Sequence, residues 1–440
     1  MAELTIEDAL AFAIQLHQDA FRARDSAGLL KARTVYERIL EAVPEHADAL
    51  HFLGVLLHQI GETEGGLELI ARAMLARPND AMMYNNLGNV LTEKDRHEEA
   101  AVAYRRAIEL GYQGADAESN LGVSLKAVGD LEAAMAAFRR ALALDPRHAA
   151  SHGNLGGMLF RARRYPEAIS HLQQAIALEP RFAPTRRSLA LALYRAGRQN
   201  EAVASLRAWL EVTPGQPEAV HFLAAFSQQN VPGRASDGFV RNSFDALATR
   251  FDEHLRDLGY RAPELLAAAI APELGVPDGG LDVLDAGCGT GLCAASLRPY
   301  AKRLSGVDLS PAMLELAERR GGYDELVEAE LTTYIEARPA QFDLIVSADT
   351  LCYFGDLAAV LAAARRALRA RGVLAFSVER SPRSSPSFWL QPHGRYSHAT
   401  DYVQRALTDA GFELRTSDIV TLRLEAGEPV VGLVVVAVAA

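Results

Sequence analysis

Along the first half of this chain, apolar and small residues return every 34 positions. Leu53-Gly54, Leu87-Gly88, Leu121-Gly122 and Leu155-Gly156 keep that spacing, and Leu189-Ala190 and Leu223-Ala224 continue it without slippage. Twelve positions beyond each glycine slot stand Gly66, Ala100, Ala134, Ala168 and Ala202. Sixteen beyond it stand Ile70, Tyr104, Phe138, Leu172 and Leu206. Pro78, Pro146, Pro180 and Pro214 close their units, Tyr112 is the one departure, and Pro44 marks a degenerate first copy. The pattern predicts stacked pairs of antiparallel helices. Small residues sit where two backbones approach, bulky ones fill the gaps, and proline stops the second helix of each pair.

The period dies over Ser227–Ser243, SQQNVPGRASDGFVRNS, whose Gly, Pro, Ser and Asn content is that of a linker. Three- and four-residue spacings of Phe244, Leu247, Phe251, Leu255 and Leu258 then predict an amphipathic helix. Beyond it, strands and helices alternate. LDVLDAG, RLSGVDLS, ELVEAEL, FDLIVSAD and GVLAFSV read as strands, with helices over Leu292–Tyr300, Pro311–Arg320 and Leu357–Arg369. That alternation predicts a parallel sheet covered on both faces. A helix at Thr400–Ala410, a strand from Phe412, a turn over Ala426–Pro429 and an apolar strand Val430–Ala440 add an antiparallel hairpin. The boundaries expected are 1–229 for the repeats, 230–243 for the linker and 244–440 for the α/β domain.

Composition narrows the function. A formal net charge of −11 is a poor basis for clamping phosphate backbones, so nucleic acid is not expected as a partner. Cys288, Cys293 and Cys352 are odd in number and form no CxxC pair, which argues against a disulfide framework or zinc site and fits a reducing, cytoplasmic setting. The start, MAELTIEDALAF, carries acids where a signal peptide carries Lys or Arg, and the terminal apolar run of 11 residues is too short to span a bilayer. No membrane partner is expected.

The chemistry concentrates in Val283-Leu284-Asp285-Ala286-Gly287-Cys288-Gly289-Thr290-Gly291, where the first strand turns into the first helix at the carboxyl edge of the sheet. Glycines let a backbone pass close beneath a ligand. A dinucleotide site needs G-x-G-x-x-G, but the third glycine would fall at Leu292. The acid in D-x-G-x-G-x-G would also repel a pyrophosphate, whereas it suits an ammonium group. Asp308, 23 residues after Asp285 at the end of the second strand, can accept bonds from both hydroxyls of a ribose. The loop Arg380–His398 holds Arg380, Arg383, Arg395, His393 and His398 and no acid, which suggests an anionic acceptor such as a carboxylate or a phosphate-bearing carrier.

The repeats resemble tetratricopeptide repeats over roughly residues 13–229, and residues 239–440 resemble class I S-adenosylmethionine-dependent methyltransferases. The implied fold is an all-α solenoid followed by an α/β Rossmann-like domain, with a mostly parallel seven-stranded sheet and an antiparallel terminal hairpin. The resemblance places Gly287, Gly289 and Gly291 under the methionine and ribose of S-adenosylmethionine, with Asp285 and Cys288 in the same loop. Asp308 holds the ribose; Leu309 and Met313 border the adenine. Glu330, with Leu331 after it, stands where the family usually carries Asp beside the adenine amine. Ser347-Ala348-Asp349 faces methionine and substrate, and Phe251-Asp252 resembles an element that lids the cofactor. Arg261 is a candidate for the methionine carboxylate. Candidate catalytic residues are Asp349, Tyr396 and His398.

GRYSH, Gly394–His398, together with the 251–263 segment, is similar to a bacterial group described as trans-aconitate-type methyltransferases with attached repeats. Asn86, Asn120 and Asn154 share one slot that faces the concave side in repeat proteins of this kind and resemble the asparagine file of O-GlcNAc transferases. They predict a grip on a peptide backbone in the concave groove. The expected function is methyl transfer to a small-molecule or carrier-bound acceptor. The alternative is a repeat-based adaptor whose second domain binds the cofactor but is weakly active or methylates protein.

Overall fold

The computed structural model describes residues 5–382, 387–425 and 427–440, so Arg383 and Ala426 lie outside the described residues. Two compact units make up the chain, Met1–Arg198 and Gln199–Ala440. The division falls before the 34-residue period ends, so the last repeat helices and the expected linker stand in the second unit.

The first unit opens with the helix pair Ile6–Ala23 and Ser26–Ala42. It continues through Ala47–Gln59 with Thr63–Ala76, Ala81–Glu93 with His97–Glu109, Ala115–Ala127 with Leu131–Leu144, and Ala149–Arg161 with Tyr165–Leu178, and closes with Ala183–Arg195. The residue types follow from packing. A Cβ at Gly88 would stand 2.6 Å from the Tyr104 ring, at Gly122 2.8 Å from Phe138, and at Gly156 2.7 Å from Leu172. Those partners are the fully buried residues sixteen positions on, so glycine and bulky residue form one contact across each helix pair. Caps come from the chain itself: the Asp80 carboxylate accepts from the Met82 and Met83 amides, and Asp130 from Ala133.

In the second unit, helices Gln199–Val212 and Pro217–Ser227 precede a helix at Asp237–Asp245, which begins within the expected linker. Ser236 caps it, and Phe239 is buried against His221 with ring centroids 3.8 Å apart. Tertiary burial of one aromatic overrides the linker composition. The single amphipathic helix expected from Phe244 is broken by a 3-10 turn at Ala248–Arg250, before helix Phe251–Asp257. The break lets Phe244 pack edge-on against both Phe251 and Tyr353.

Among the described residues nine strands follow: β1 Leu281–Ala286, β2 Ala301–Asp308, β3 Glu325–Glu328, β4 Phe342–Ser347, β5 Leu368–Arg380, β6 Phe388–Leu390, β7 Tyr396–His398, β8 Phe412–Glu425 and β9 Glu428–Ala439. β3-β2-β1-β4-β5 run parallel, β9 pairs antiparallel with β5, and β8 with β9. These seven strands are the expected plan. Part of the expected Arg380–His398 loop instead forms a short hairpin, β6 against β7, and β7 pairs parallel with β5 at Glu379–Ser397 and Arg380–His398. Between β1 and β2 the helix expected over Leu292–Tyr300 shrinks to Ala294–Leu297 and a 3-10 turn at Pro299, which has no amide to continue a helix. Apolar clusters cover both sheet faces, and the carboxyl ends of β1, β2, β4 and β5 share one edge.

Candidate functional site

The glycine loop is tied to the neighbouring strand. The Gly287 and Cys288 amides both donate to the Val307 carbonyl, at 2.8 and 3.0 Å. Gly287, Gly289 and Gly291 take φ of 80°, 54° and 84°, a region that disfavours any residue with a Cβ. Their surroundings differ. A Cβ on Gly287 would collide with Thr350, and one on Gly291 would lie 3.0 Å from the Tyr323 ring. A Cβ on Gly289 would meet nothing within 4 Å. The middle glycine therefore faces open space, while its neighbours lean on protein.

Two carboxylates stand close to the loop, each acting on the Cys288 thiol. Asp308 at the end of β2 accepts from the Gly289 amide on Oδ2 and the Ser310 amide on Oδ1, both at 2.9 Å. Burial pushes its carboxyl above the usual range, with those amides pulling the other way. Asp285 is buried on β1. Its Oδ2 accepts from the Tyr323 hydroxyl at 2.6 Å, and its Oδ1 is buried without a donor among the described residues. Burial raises the Asp285 carboxyl to about 7, the Tyr323 bond opposing and the Asp308 charge adding to the rise. Asp252 reaches the same loop from helix Phe251–Asp257. It accepts from the Thr290 hydroxyl at 2.6 Å and pairs with Arg320, whose Nε donates to the Thr290 carbonyl at 2.7 Å.

The other expected cofactor residues divide. Leu309 is half-buried, and its carbonyl accepts from Arg241 Nε at 3.1 Å. Met313 is fully buried in helix Pro311–Arg320, and Leu331 and Cys288 are also buried; burial drives the Cys288 thiol well up. Glu330 caps helix Leu331–Glu336, accepting from the Thr332 and Thr333 amides at 3.0 and 2.8 Å. Burial opposes its charge, yet those amides and the Thr333 hydroxyl hold its carboxyl below the usual range. Both Glu330 oxygens are thus engaged by the cap. Ser347 is buried and donates to the Ala286 carbonyl at 2.9 Å, locking β4 to β1.

Asp349, just past β4, has φ 52° despite its side chain. Its Oδ1 accepts from the Ser377 hydroxyl at 2.9 Å and its Oδ2 from Arg423 Nη1 at 2.5 Å. Burial raises its carboxyl while Arg423 and Ser377 lower it, leaving it above the usual range. Arg423 also pairs with Glu379 and, through Nε at 2.9 Å, with Glu425. Arg395 donates from Nε to Glu379 at 2.5 Å and pairs with Glu425, and His393 Nε2 lies 3.3 Å from Glu379. Burial works against the Glu379 charge, but Arg395, His393 and Arg423 hold its carboxyl far below the ordinary range.

Two expectations for this edge are corrected. Arg395 and His393, which in sequence make a cationic loop, meet acids from β5 and β8; among that loop's described cations, Arg380 donates to the Thr400 hydroxyl at 3.3 Å. Tyr396 and His398 are fully buried, not presented to a substrate. The Tyr396 hydroxyl donates to the Pro232 carbonyl at 2.8 Å. His398 Nε2 lies 2.8 Å from the Phe354 carbonyl, and burial lowers its pKa to about 4, so the ring is a neutral brace. Asp349 is the candidate base left facing the edge, its side chain 15% exposed. Arg261, offered to a methionine carboxylate, pairs with Glu264 at 3.1 Å.

Tyr323, Glu379 and Arg423 escape a reading of sequence. Arg423 lies beside a register shift in β8 between Thr421 and Arg423, so that Leu422 and Arg423 are buried in succession. A bulge of this kind breaks strand alternation and re-aims a side chain. The consecutive burial has no signature in the residue types.

In the repeats, the asparagine file is engaged from one unit to the next. Asn86 Nδ2 meets His51 Nε2 at 2.8 Å, Asn120 Nδ2 donates to Asn89 Oδ1 at 3.2 Å, and Asn154 Oδ1 accepts from Lys126 Nζ at 2.7 Å. These carboxamides join successive first helices, which limits what they offer a peptide.

Residues 284–376 match a family model described as a methyltransferase domain. Residues 18–76, 81–111, 119–185 and 159–226 match tetratricopeptide-repeat models. Methyltransferase-like protein 27 of Homo sapiens is 43% identical over 19% of this chain and 34% of its own length. Ubiquinone biosynthesis O-methyltransferase of Thiobacillus denitrificans is 31% identical over 34% of this chain and 66% of its own. Malonyl-[acyl-carrier protein] O-methyltransferase of Serratia marcescens is 33% identical over 31% of this chain and 51% of its own. The chain thus spans between a third and two thirds of the length of these curated relatives. Among the described residues, no helix is long and apolar enough to cross a membrane. Glycine loop, paired carboxylates, strand order and both sets of matches agree: this chain carries tetratricopeptide repeats ahead of a class I S-adenosylmethionine-dependent methyltransferase domain.

Proposed function

We propose that the protein transfers the methyl group of S-adenosylmethionine to an oxygen of a small-molecule or carrier-bound acceptor, and that its repeats hold a protein partner. The observation that carries the first part is the open space over Gly289, whose amide donates to Asp308. The residues present fit the cofactor. Asp308, oriented by two amides, has lone pairs left for ribose hydroxyls, and the orphaned Asp285 Oδ1 is a buried acceptor suited to an ammonium group. When bound, S-adenosylmethionine supplies an electrophilic methyl on a sulfonium. The chain's part is to align, exclude water and accept a proton where the acceptor begins protonated. In this reading Asp349 accepts that proton: Ser377 and Arg423 orient it, and burial raises its carboxyl above the usual range.

Oxygen as the acceptor atom is supported by the relatives named for O-methylation, one of them on a malonyl-carrier substrate. A carboxylate acceptor loses the support of Arg395 and His393, which already meet acids. The test is transfer of labelled methyl from S-adenosylmethionine into a small-molecule extract and, separately, into extract protein. Label in the small-molecule fraction, lost in Asp349→Asn with cofactor binding retained, is the expected result. Absence of cofactor binding by calorimetry overturns the proposal; binding without transfer to either fraction favours the adaptor alternative.

A further inference from the structure

The wall built by the first helices of the repeats changes character along its length. Cross-repeat bonds mark this wall, from His51 to Asn86, from Asn89 to Asn120 and from Lys126 to Asn154. The series stops there, because the next equivalent position is Ser188. Overlapping the end of this series, the last turn of each of three successive first helices carries a cation: Lys126, Arg161 and Arg195.

Lys126 is half-buried; burial lowers its pKa and the neighbouring Arg161 charge lowers it further, so the two cations face each other. Arg161 and Arg195 are exposed, and neither has an ion-pair or hydrogen-bond partner among the described residues. Some arginines of the array do meet acids, as Arg72 meets Glu45 and Arg140 meets Glu118. The slots three before and one after each glycine position hold Ser119 and Val123, Gly153 and Gly157, and Arg187 and Leu191, none of them acidic. A Cβ on Gly157 would meet nothing within 4 Å, so the wall is open there. In a chain of net charge −11 an unneutralised file of like charges is unusual, and mutual repulsion gives it a standing preference for anions.

We propose that this wall takes an extended acidic segment of a partner protein, read by carboxylate side chains. The proposal rests on the reading that the repeats hold a protein partner and deepens it. Spacing follows from geometry. Successive first helices touch, and packed helix axes stand about 10 Å apart. An extended chain advances about 3.3 Å per residue. Cations one repeat apart therefore match a carboxylate at every third residue of the segment.

The test uses the full chain and fluorescent peptides with acetylated and amidated ends, so that no terminal carboxylate contributes. One peptide carries glutamate at every third residue amid alanine and serine; a second carries the same glutamates in one block; a third replaces them with glutamine. The first should bind saturably, weaken with salt, and lose about tenfold in affinity on R161E with R195E, the scale of two exposed ion pairs. Arg161→Gln with Arg195→Gln, which keeps most of each side chain's length, should lose less, and both variants should keep the wild-type melting temperature. Failure of the first peptide to bind, equal binding of the blocked or glutamine peptide, or indifference to the arginine changes overturns the proposal. Binding of the glutamine peptide would leave the recruitment reading standing without its acidic chemistry; binding of no peptide would count against both.

Discussion

Gly289→Ala and Gly287→Ala should separate cofactor binding from folding, although both place a methyl group on the same loop. Each glycine has positive φ, so each substitution carries the left-handed penalty of about 1–2 kcal/mol for a Cβ-bearing residue. At Gly287 the new methyl also collides with Thr350, whose hydroxyl donates to the Gly287 carbonyl at 3.2 Å. Overpacking of that kind adds about 1–3 kcal/mol, so Gly287→Ala should destabilise the second unit by about 2–5 kcal/mol. At Gly289 nothing lies within 4 Å, and the stability cost should stay near the strain alone. The methyl instead projects into the space assigned to S-adenosylmethionine. A clash with ligand of similar size to a core clash should weaken binding about ten- to a hundredfold. Urea unfolding without ligand reads the first quantity and calorimetry with S-adenosylmethionine the second. A Gly289→Ala protein that folds normally and binds the cofactor with unchanged affinity would refute the placement of the site.

Three further outcomes follow from the same geometry. Asp308→Ala should weaken S-adenosylmethionine binding by about 1.5–3 kcal/mol in calorimetry, the scale of charge-assisted hydrogen bonds. Asp285 keeps its proton to about pH 7 when folded but only to 3.8 when unfolded, so the stability tied to that proton is full at low pH and is lost as pH rises through about 7. Urea unfolding of Asp285→Asn against wild type should therefore show a difference favouring the variant that grows from pH 5 to pH 8; a pH-independent difference would contradict it. Arg423→Met removes the cation shared by Asp349, Glu379 and Glu425 and should cost about 3–5 kcal/mol by chemical denaturation, because acids remain buried without their partner.

Residue pattern alone lays down the repeats and the sheet. A 34-residue period is a packing rule expressed as residue size: Gly88 with Tyr104 and Gly122 with Phe138 must pair because no larger residue fits the slot. The strands of the parallel sheet are legible because each is a short apolar run buried on both faces, and the glycine loop because its backbone angles exclude other residues. Polar side chains are different, because their partners come from distant elements. Arg395 in sequence is one cation in an acid-free loop; only the meeting of β5, β7 and β8 gives it Glu379 and Glu425. Tyr396 and His398 carry catalytic residue types, yet burial against Pro232 and Phe354 makes them braces. Arg423 needed a bulge, and the asparagine file needed the stacking of repeats to acquire His51, Asn89 and Lys126. Hydrophobic pattern is a local property of the chain, whereas the charge that a site presents is set by which distant groups neutralise one another.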